Sequence, residues 1–206
     1  MDTTKQTIRE EMRRQAAAFL ADGRAERESA RILAALEELP AFRDASCVLI
    51  YMALPDEVRT APLLERWASR KRFAIPRVHG LDLELCEYDP AHLQAGYKGI
   101  LEPTPDAVLL EPEDIDLAVI PGVAFASERN AYGQMIEGRT PQTPLVASLR
   151  TDCVRGNIQR LGRGKGFYDR LLPQLHCPTV GICYPFRVLP DIPTDPWDRP
   201  LDGLIY

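Results

Sequence analysis

Residues 47–52, Cys-Val-Leu-Ile-Tyr-Met, form an unbroken apolar run. A strand with one wet face alternates polar and apolar side chains. A run without alternation therefore predicts a strand buried on both faces, as in a parallel sheet. The same pattern returns at 116–122 and 179–184, with a shorter piece at 73–76. Between these runs the period changes. Ile8, Met12, Gln15 or Ala16, and Phe19 fall on one helical face, after Thr3 or Thr4 as cap and before Gly23. A second helix is expected from about 26 to 39, with Ile32, Leu33, Leu36 and Leu39 inward and Pro40 stopping it. A third starts at Thr60 and buries Leu63, Leu64, Trp67 and Ala68; a fourth runs from Phe167 to about Leu175. Residues 83–88 alternate like a half-exposed strand, and 204–206 make a last one. Strands alternating with helices imply a three-layer α/β fold, a mostly parallel Rossmann-like sheet with helices on both faces. The strands at Cys47, Phe73, Asp116 and Thr179 are expected side by side. The 206 residues suit one domain. In such sheets ligands bind beyond the carboxyl ends of the strands, so the turns after Met52, Pro76, Ile120 and Tyr184 are where function is expected.

Composition removes several classes. Lys and Arg number 25 against 30 Asp and Glu, a net charge of −5, which argues against a general nucleic-acid binder. No stretch approaches the roughly 20 apolar residues that span a bilayer, and the polar start lacks a signal peptide's apolar core. The expectation is a cytoplasmic protein, a monomer or weak dimer, with neither membrane nor nucleic acid as partner. Cys47, Cys86, Cys153, Cys177 and Cys183 show no CxxC spacing, so neither a disulfide scaffold nor a structural zinc site is expected. His79, His92 and His176 are scattered and form no ligand set.

The most informative stretch is Arg160-Leu161-Gly162-Arg163-Gly164-Lys165-Gly166-Phe167-Tyr168-Asp169. Glycines let the backbone approach an anion and leave N–H groups exposed. The following helix adds a partial positive charge at its start. Arg160, Arg163 and Lys165 add full charges and directional donors. This is polyphosphate-binding chemistry, but it is not a Walker A loop, because Gly166 follows Lys165 where Ser or Thr would stand. Read alone, the stretch is either such a cradle or a flexible basic turn. Lys5 and Arg9 share a helical face and, read alone, are solvated charges. Glu57 alone could cap a helix near Thr60, Met52 could be core, Tyr168 a packed aromatic and Asp169 a first-turn acid.

Residues 160–169 resemble the signature of the 5-formyltetrahydrofolate cyclo-ligase family, also called methenyltetrahydrofolate synthetase. Other segments agree in order. Lys5 and Arg9 are similar to the family's N-terminal Lys-x-x-x-Arg pair. Tyr51-Met52, Asp56-Glu57 and Thr60 resemble its segment after the first strand. Pro76-Arg77, Gly99-Ile100-Leu101-Glu102-Pro103, residues 116–125 and Pro196-Trp197-Asp198-Arg199-Pro200-Leu201-Asp202 look like further family stretches. The resemblance covers nearly the whole chain. It departs at Trp197, where many relatives have histidine, and at an extra segment of about 127–159, where relatives have a short turn. That segment is expected to form a mobile flap at the rim of the site or a surface bulge without a role. Residues 144–149 are its only piece suited to a short strand, a packed patch or a subunit contact.

The resemblance implies an activity: ATP-dependent cyclisation of 5-formyltetrahydrofolate to 5,10-methenyltetrahydrofolate, with phosphorylation of the formyl oxygen. It implies catalytic roles for Lys5, Arg163 and Lys165. ATP would be held by Lys5, Arg9, Arg160, Gly162, Arg163, Gly164, Lys165, Gly166, Phe167 and Tyr168. Met52, Glu57 and Tyr168 would bind the pterin, and Asp169 would be the carboxylate for Mg²⁺. The rival readings are a non-catalytic nucleotide-binding module and a relative of the sugar-phosphate isomerases or CoA-transferases, which share a similar architecture. The latter would need a catalytic carboxylate and no ATP.

Overall fold

The computed structural model describes residues 4–96, 99–127 and 153–206. Helix α1 (Lys5–Ala21) begins where the Thr4 hydroxyl accepts the Thr7 backbone N–H at 3.2 Å, satisfying one orphan donor of the first turn. Its buried stripe is Ile8, Met12, Ala16 and Phe19, as the helical period predicts. Helix α2 (Ala25–Glu37) buries Ile32, Leu33 and Leu36, each worth about 1.5–3 kcal/mol over exposure. Pro40 ends that helix but also opens another, α3 (Pro40–Asp44), at a first-turn position where no N–H is needed. Strand β1 (Cys47–Leu49) precedes α4 (Ala61–Trp67). Thr60 does not cap α4 with its side chain. Its hydroxyl donates instead to the Tyr51 carbonyl at 2.7 Å, tying the helix start to the exit of β1.

The remaining elements are β2 (Arg72–His79), β3 (Asp82–Glu87), β4 (Leu93–Ala95), β5 (Leu101–Pro103), β6 (Leu109–Leu110), β7 (Leu117–Ile120), β8 (Ala124–Ser127), β9 (Cys153–Leu161), α5 (Phe167–Leu171), β10 (Thr179–Ile182), β11 (Val188–Leu189) and β12 (Leu201–Ile205). The main sheet runs β11-β8-β9-β12-β10-β7-β1-β2-β3-β6, with β4 and β5 paired separately. The four strands expected side by side are so. β10, β7, β1 and β2 are consecutive and parallel, with β12 parallel beyond β10. Antiparallel pairs flank this centre: β2 with β3, β3 with β6, β12 with β9, and β9 with β8.

Two faces explain the unbroken runs. Val48 and Ile50 pack with α2, α3 and α4, through Leu33, Phe42 and Leu63. Cys47 and Leu49 point the other way, into the cluster that holds Leu171, Leu172 and Leu175. Alternate residues thus fill opposite layers, and every one must be apolar. The helix expected to Leu175 stops at Leu171 and continues as a 3₁₀ turn, Leu172–Gln174, where Pro173 removes a backbone donor. Among the described residues no helix is long and apolar enough to cross a membrane.

The expected insertion at 127–159 needs correction at its far end. β9 starts at Cys153 and is hydrogen-bonded to β8 on one side and β12 on the other. Phe125 sits opposite Arg160, and Ser127 opposite Ile158. The ends of the excursion are therefore ladder partners, and residues 153–159 are sheet. Residues 144–149 lie outside the described residues.

Packing at the centre leaves no room at Gly181 in β10. A Cβ there would lie 2.7 Å from Phe125 Cε1, 3.0 Å from Leu204 Cδ1 and 3.2 Å from Leu201 Cδ1. Gly181→Ala gains about 0.4–1 kcal/mol from a stiffer unfolded chain but loses about 1–3 kcal/mol to overpacking. Urea unfolding should show a lower midpoint with an unchanged slope. A midpoint at or above wild type would mean that Phe125 repacks freely.

Candidate active site

The loop from Gly162 to Gly166 leaves β9 and enters α5. Gly164 (φ 94°) and Gly166 (φ 69°) take the left-handed backbone that other residues resist, which permits so abrupt a turn. Helix α1 packs on β8 and the end of β9 through Ile8, Met12, Ala124 and Leu161. That contact carries Arg9 to the loop, where its Nε donates to the Gly162 carbonyl at 2.9 Å. The loop is closed from inside by Arg160, whose side chain is only 2% exposed. Its guanidinium donates to Asp169 Oδ1 at 2.7 Å and to the Pro121 carbonyl at 3.4 Å, and lies 5.6 Å from the Tyr168 ring centroid.

Beside this loop is a cavity of about 680 Å³. One wall is cationic: Arg160, Gly162, Arg163, Lys165 and Gly166, continued by Phe167, Tyr168 and Asp169. An apolar set, Pro76, Val78, Leu83, Ile100 and Leu101, also lines the cavity, with Glu102 next to Leu101. Tyr51, Met52, Leu54 and Glu57 close it from the exit of β1, and Pro121 and Gly122 from the exit of β7. The turns after Met52 and Ile120 therefore meet as expected, but no turn follows Pro76: β2 is held in its ladder with β3 as far as His79, and Pro76 and Val78 reach the cavity from the strand itself. The turn after Tyr184 does not line the cavity.

Charge is distributed unevenly. Arg163 donates to Glu57 Oε1 at 2.9 and 3.3 Å and to Asp56 Oδ1 at 2.8 Å. Glu57 is nearly buried, and its Oε2 accepts the Leu54 N–H at 3.0 Å. Burial alone would raise the Asp56 carboxyl, but Arg163 and Arg187 outweigh it and hold it below the usual carboxylate range. Burial pushes the Tyr51 and Tyr168 phenols up, so both stay protonated at neutral pH. Lys165 is exposed and, among the described residues, has no ion pair. With α5 only five residues long, attraction for an anion rests on these side chains more than on the helix dipole.

The structure brings Met52, Glu57, Arg160, Gly162, Arg163, Lys165, Gly166, Phe167, Tyr168 and Asp169 to one cavity. Lys5, Arg9 and Gly164 are not on its wall. Lys5 is bound to Asp195 at 2.7 Å and to Asp198. Burial would lower its ammonium, but the two carboxylates raise it above its ordinary value. Arg9 braces the loop through the Gly162 carbonyl, and its guanidinium lies beside Gly164, where a Cβ would lie 3.5 Å from Arg9 Cζ. Sequence reading missed Val78, Leu83, Ile100 and Leu101 as wall residues. Gly99 to Pro103 had been noted only as a resemblance. Trp197 is exposed and outside the cavity.

Residues 1–134 and 145–206 match the sequence model of the 5-formyltetrahydrofolate cyclo-ligase family. The chain belongs to that family. The match passes over 135–144, which narrows the excursion beyond what β9 already requires. A probable 5-formyltetrahydrofolate cyclo-ligase of Schizosaccharomyces pombe is 26% identical over 206 residues, 90% of this chain and 87% of that one. The 5-formyltetrahydrofolate cyclo-ligase of Escherichia coli K12 is 28% identical over 170 residues, 78% of each. The solution structure of Aquifex aeolicus 5,10-methenyltetrahydrofolate synthetase superposes with a TM-score of 0.74 at 29% identity, covering 98% of this chain and 88% of that one. A Mycoplasma pneumoniae 5,10-methenyltetrahydrofolate synthetase shares the fold, with a TM-score of 0.64 at 22% identity and coverage of 100% and 98%.

In this cyclo-ligase, Asp169→Ala should destabilise. It leaves the buried Arg160 guanidinium with only a long bond to Pro121, and a broken buried pair typically costs about 3–5 kcal/mol. Thermal unfolding should report a clear drop. A change below about 0.5 kcal/mol, the usual size for a surface substitution, would mean that solvent already compensates Arg160.

Proposed function

We propose that the chain catalyses the ATP-dependent cyclisation of 5-formyltetrahydrofolate to 5,10-methenyltetrahydrofolate, releasing ADP and phosphate. The observation that carries this reading is a single cavity lined by a cationic glycine loop, by an apolar set and by Glu57. A polyphosphate suits the first, and a flat ring with N–H donors suits the second.

The chemistry explains why both must share one space. A formamide carbon is a poor electrophile, and its oxygen is a poor leaving group. The formyl oxygen attacks the γ-phosphorus, the bond to the β-γ bridging oxygen breaks, and ADP departs. N10 then adds to the activated carbon and gives up its proton, which leaves with the phosphate, and that carbon loses phosphate with the formyl oxygen in it. The ring closes without a protein nucleophile. Burial pushes the Cys47 thiol up to about 11 and raises that of Cys86, so neither is poised to intervene. The protein's work is to hold the formyl oxygen in line with the γ-phosphate and to neutralise charge there. Arg163 and Lys165 are placed for that task, with Arg9 bracing the loop they stand on. Lys5 would act from behind, after leaving its two aspartates. Glu57 accepts ring N–H groups, while Met52 and Tyr168 pack on the ring.

Mg²⁺ fits this donor set. Among the described residues no group of three metal ligands is preassembled, but Mg²⁺ is commonly held by one or two carboxylates together with substrate phosphates. Asp169 is on the cavity wall with one oxygen committed to Arg160 and a second to offer. When bound, the ion would offset charge on the phosphate oxygens. A monomer or weak dimer is part of this reading.

Purified protein should produce the near-ultraviolet absorbance of the methenyl product only when 5-formyltetrahydrofolate, ATP and Mg²⁺ are all present. Lys165→Ala should lower kcat/KM by about 2–4 kcal/mol of transition-state stabilisation, with no loss of melting temperature, because the side chain is exposed and unpaired. A folded protein that binds ATP without turnover would favour the non-catalytic module. Wild-type kinetics in Lys165→Ala would return that lysine to the solvated surface.

A further inference from the structure

Arg187 is a buried charge that the chemistry above does not use. Its side chain is 2% exposed, and a guanidinium out of water costs several kcal/mol before any partner compensates it. An apolar side chain of similar volume would fill the same space at no such cost, so packing alone does not account for it. It follows β10 on the 3₁₀ turn Pro185–Arg187, under the Phe186 ring. One amino group donates to the Val123 carbonyl at 2.7 Å, in the turn after β7. The other donates to the Asp56 carbonyl at 2.7 Å and to Asp56 Oδ2 at 2.9 Å, in the loop after β1. One side chain thus joins the exits of three parallel strands, and it fixes both the backbone and the carboxylate of Asp56.

The second oxygen of Asp56 accepts Arg163. Arg163 and Glu57 line the cavity, whereas Asp56 and Arg187 do not. The two acids that hold Arg163 differ in what stands behind them. Asp56 has a second cation in Arg187 and stays compensated wherever Arg163 points. Among the described residues, the Glu57 carboxylate has no other cation as a hydrogen-bond partner, only the Leu54 N–H. The division of Arg163 between the two acids therefore governs two things. It sets where the guanidinium stands relative to the phosphate loop, and how far Glu57 is free to accept a ligand's N–H groups.

We propose that Arg187 and Asp56 form a positioning pair that holds Arg163 at the phosphate loop and keeps it from pairing wholly with Glu57. The inference rests on the reading of Arg163 as a phosphate ligand. Without Asp56, the Arg163 guanidinium falls to the nearly buried Glu57, its strongest remaining partner. The nucleotide then loses an oriented donor, and the folate site loses a free acceptor.

The test is a double-mutant cycle on the full-length protein, read by calorimetric binding of a non-hydrolysable ATP analogue with Mg²⁺. Steady-state kinetics are recorded beside it. Asp56→Asn keeps the size and polarity of the side chain and removes its charge. It should weaken analogue binding about tenfold, a coupling within the 0.5–3 kcal/mol range of contacting residues, and raise KM for ATP more than it lowers kcat. In an Arg163→Ala background the same substitution should change analogue affinity less than twofold, because the group it positions is gone. Arg187→Met should follow the same pattern, with Arg187→Lys recovering part of the loss. If Arg187→Met does not fold, Asp56→Asn carries the test alone. Equal losses with and without Arg163 would overturn the proposal and leave the pair a purely structural role. Wild-type analogue affinity in Asp56→Asn would overturn it as well. Because the readout is binding, a chain that binds the analogue but fails to cyclise 5-formyltetrahydrofolate would defeat the proposed activity and leave this inference standing.

Discussion

The ion pair between Arg160 and Asp169 is the interaction on which the site depends. It joins the last turn of β9 to the first turn of α5 and reaches the exit of β7 through Pro121. The loop between them has three glycines and little to hold its shape. Two left-handed residues make the turn possible, but they do not select it from the many conformations that glycine allows. Selection comes from the closed ends, from Arg9 on the Gly162 carbonyl, and from Arg163 reaching across to Asp56 and Glu57. The cationic wall is therefore assembled before any anion arrives, and the ordering cost is met in folding.

The sheet places that wall. Four of the five adjacent parallel strands carry apolar residues on both faces, and this is why their runs could be read from sequence at all; the fifth, β12, is interrupted by exposed Asp202. Val48 and Leu49 serve opposite layers. The flanking strands could not be read so. β9 carries Asn157, Gln159 and Arg160, polar groups that an interior strand would not ordinarily hold. It is a strand because β8 and β12 supply ladders on both sides, a non-local cause that no local pattern records. The same blindness produced the wrong boundary at 127–159. Pro40 and Thr60 taught smaller lessons. Proline stops one helix and starts the next, and a threonine at the right place for a cap spent its hydroxyl on the Tyr51 carbonyl.

Within the site, the residues legible in sequence were those with chemistry in their side chains or a glycine pattern around them. Glu57, Arg163, Lys165 and Tyr168 all reach the cavity. The apolar lining was not legible, because Val78, Leu83 and Leu101 look like any half-buried hydrophobes until the fold brings them to the same cavity as the loop. Arg187 gave no linear signal either. Its meaning comes from reaching Val123 and Asp56, both far away in the chain. The sequence also could not show that Arg163 is shared by two carboxylates, or that Lys5 is engaged with Asp195 and Asp198. Three of the cations counted as phosphate ligands, Lys5, Arg160 and Arg163, are thus already ion-paired, whereas Lys165 has no ion pair among the described residues. On the proposed reading, nucleotide binding at this site exchanges partners for Lys5 and Arg163, and its strength depends on how tightly the acids hold.

The central claim is that the two walls bring the formyl oxygen and the γ-phosphorus together for direct transfer. It is tested most directly by the fate of that oxygen. 5-Formyltetrahydrofolate carrying ¹⁸O in the formyl group is turned over with unlabelled ATP and Mg²⁺ in unlabelled water, and the released phosphate is analysed by mass spectrometry. The account predicts that each phosphate formed carries the label and that ADP carries none. Unlabelled phosphate, with the ¹⁸O in water or in recovered substrate, would mean that ATP is split without joining the formyl oxygen and would contradict it.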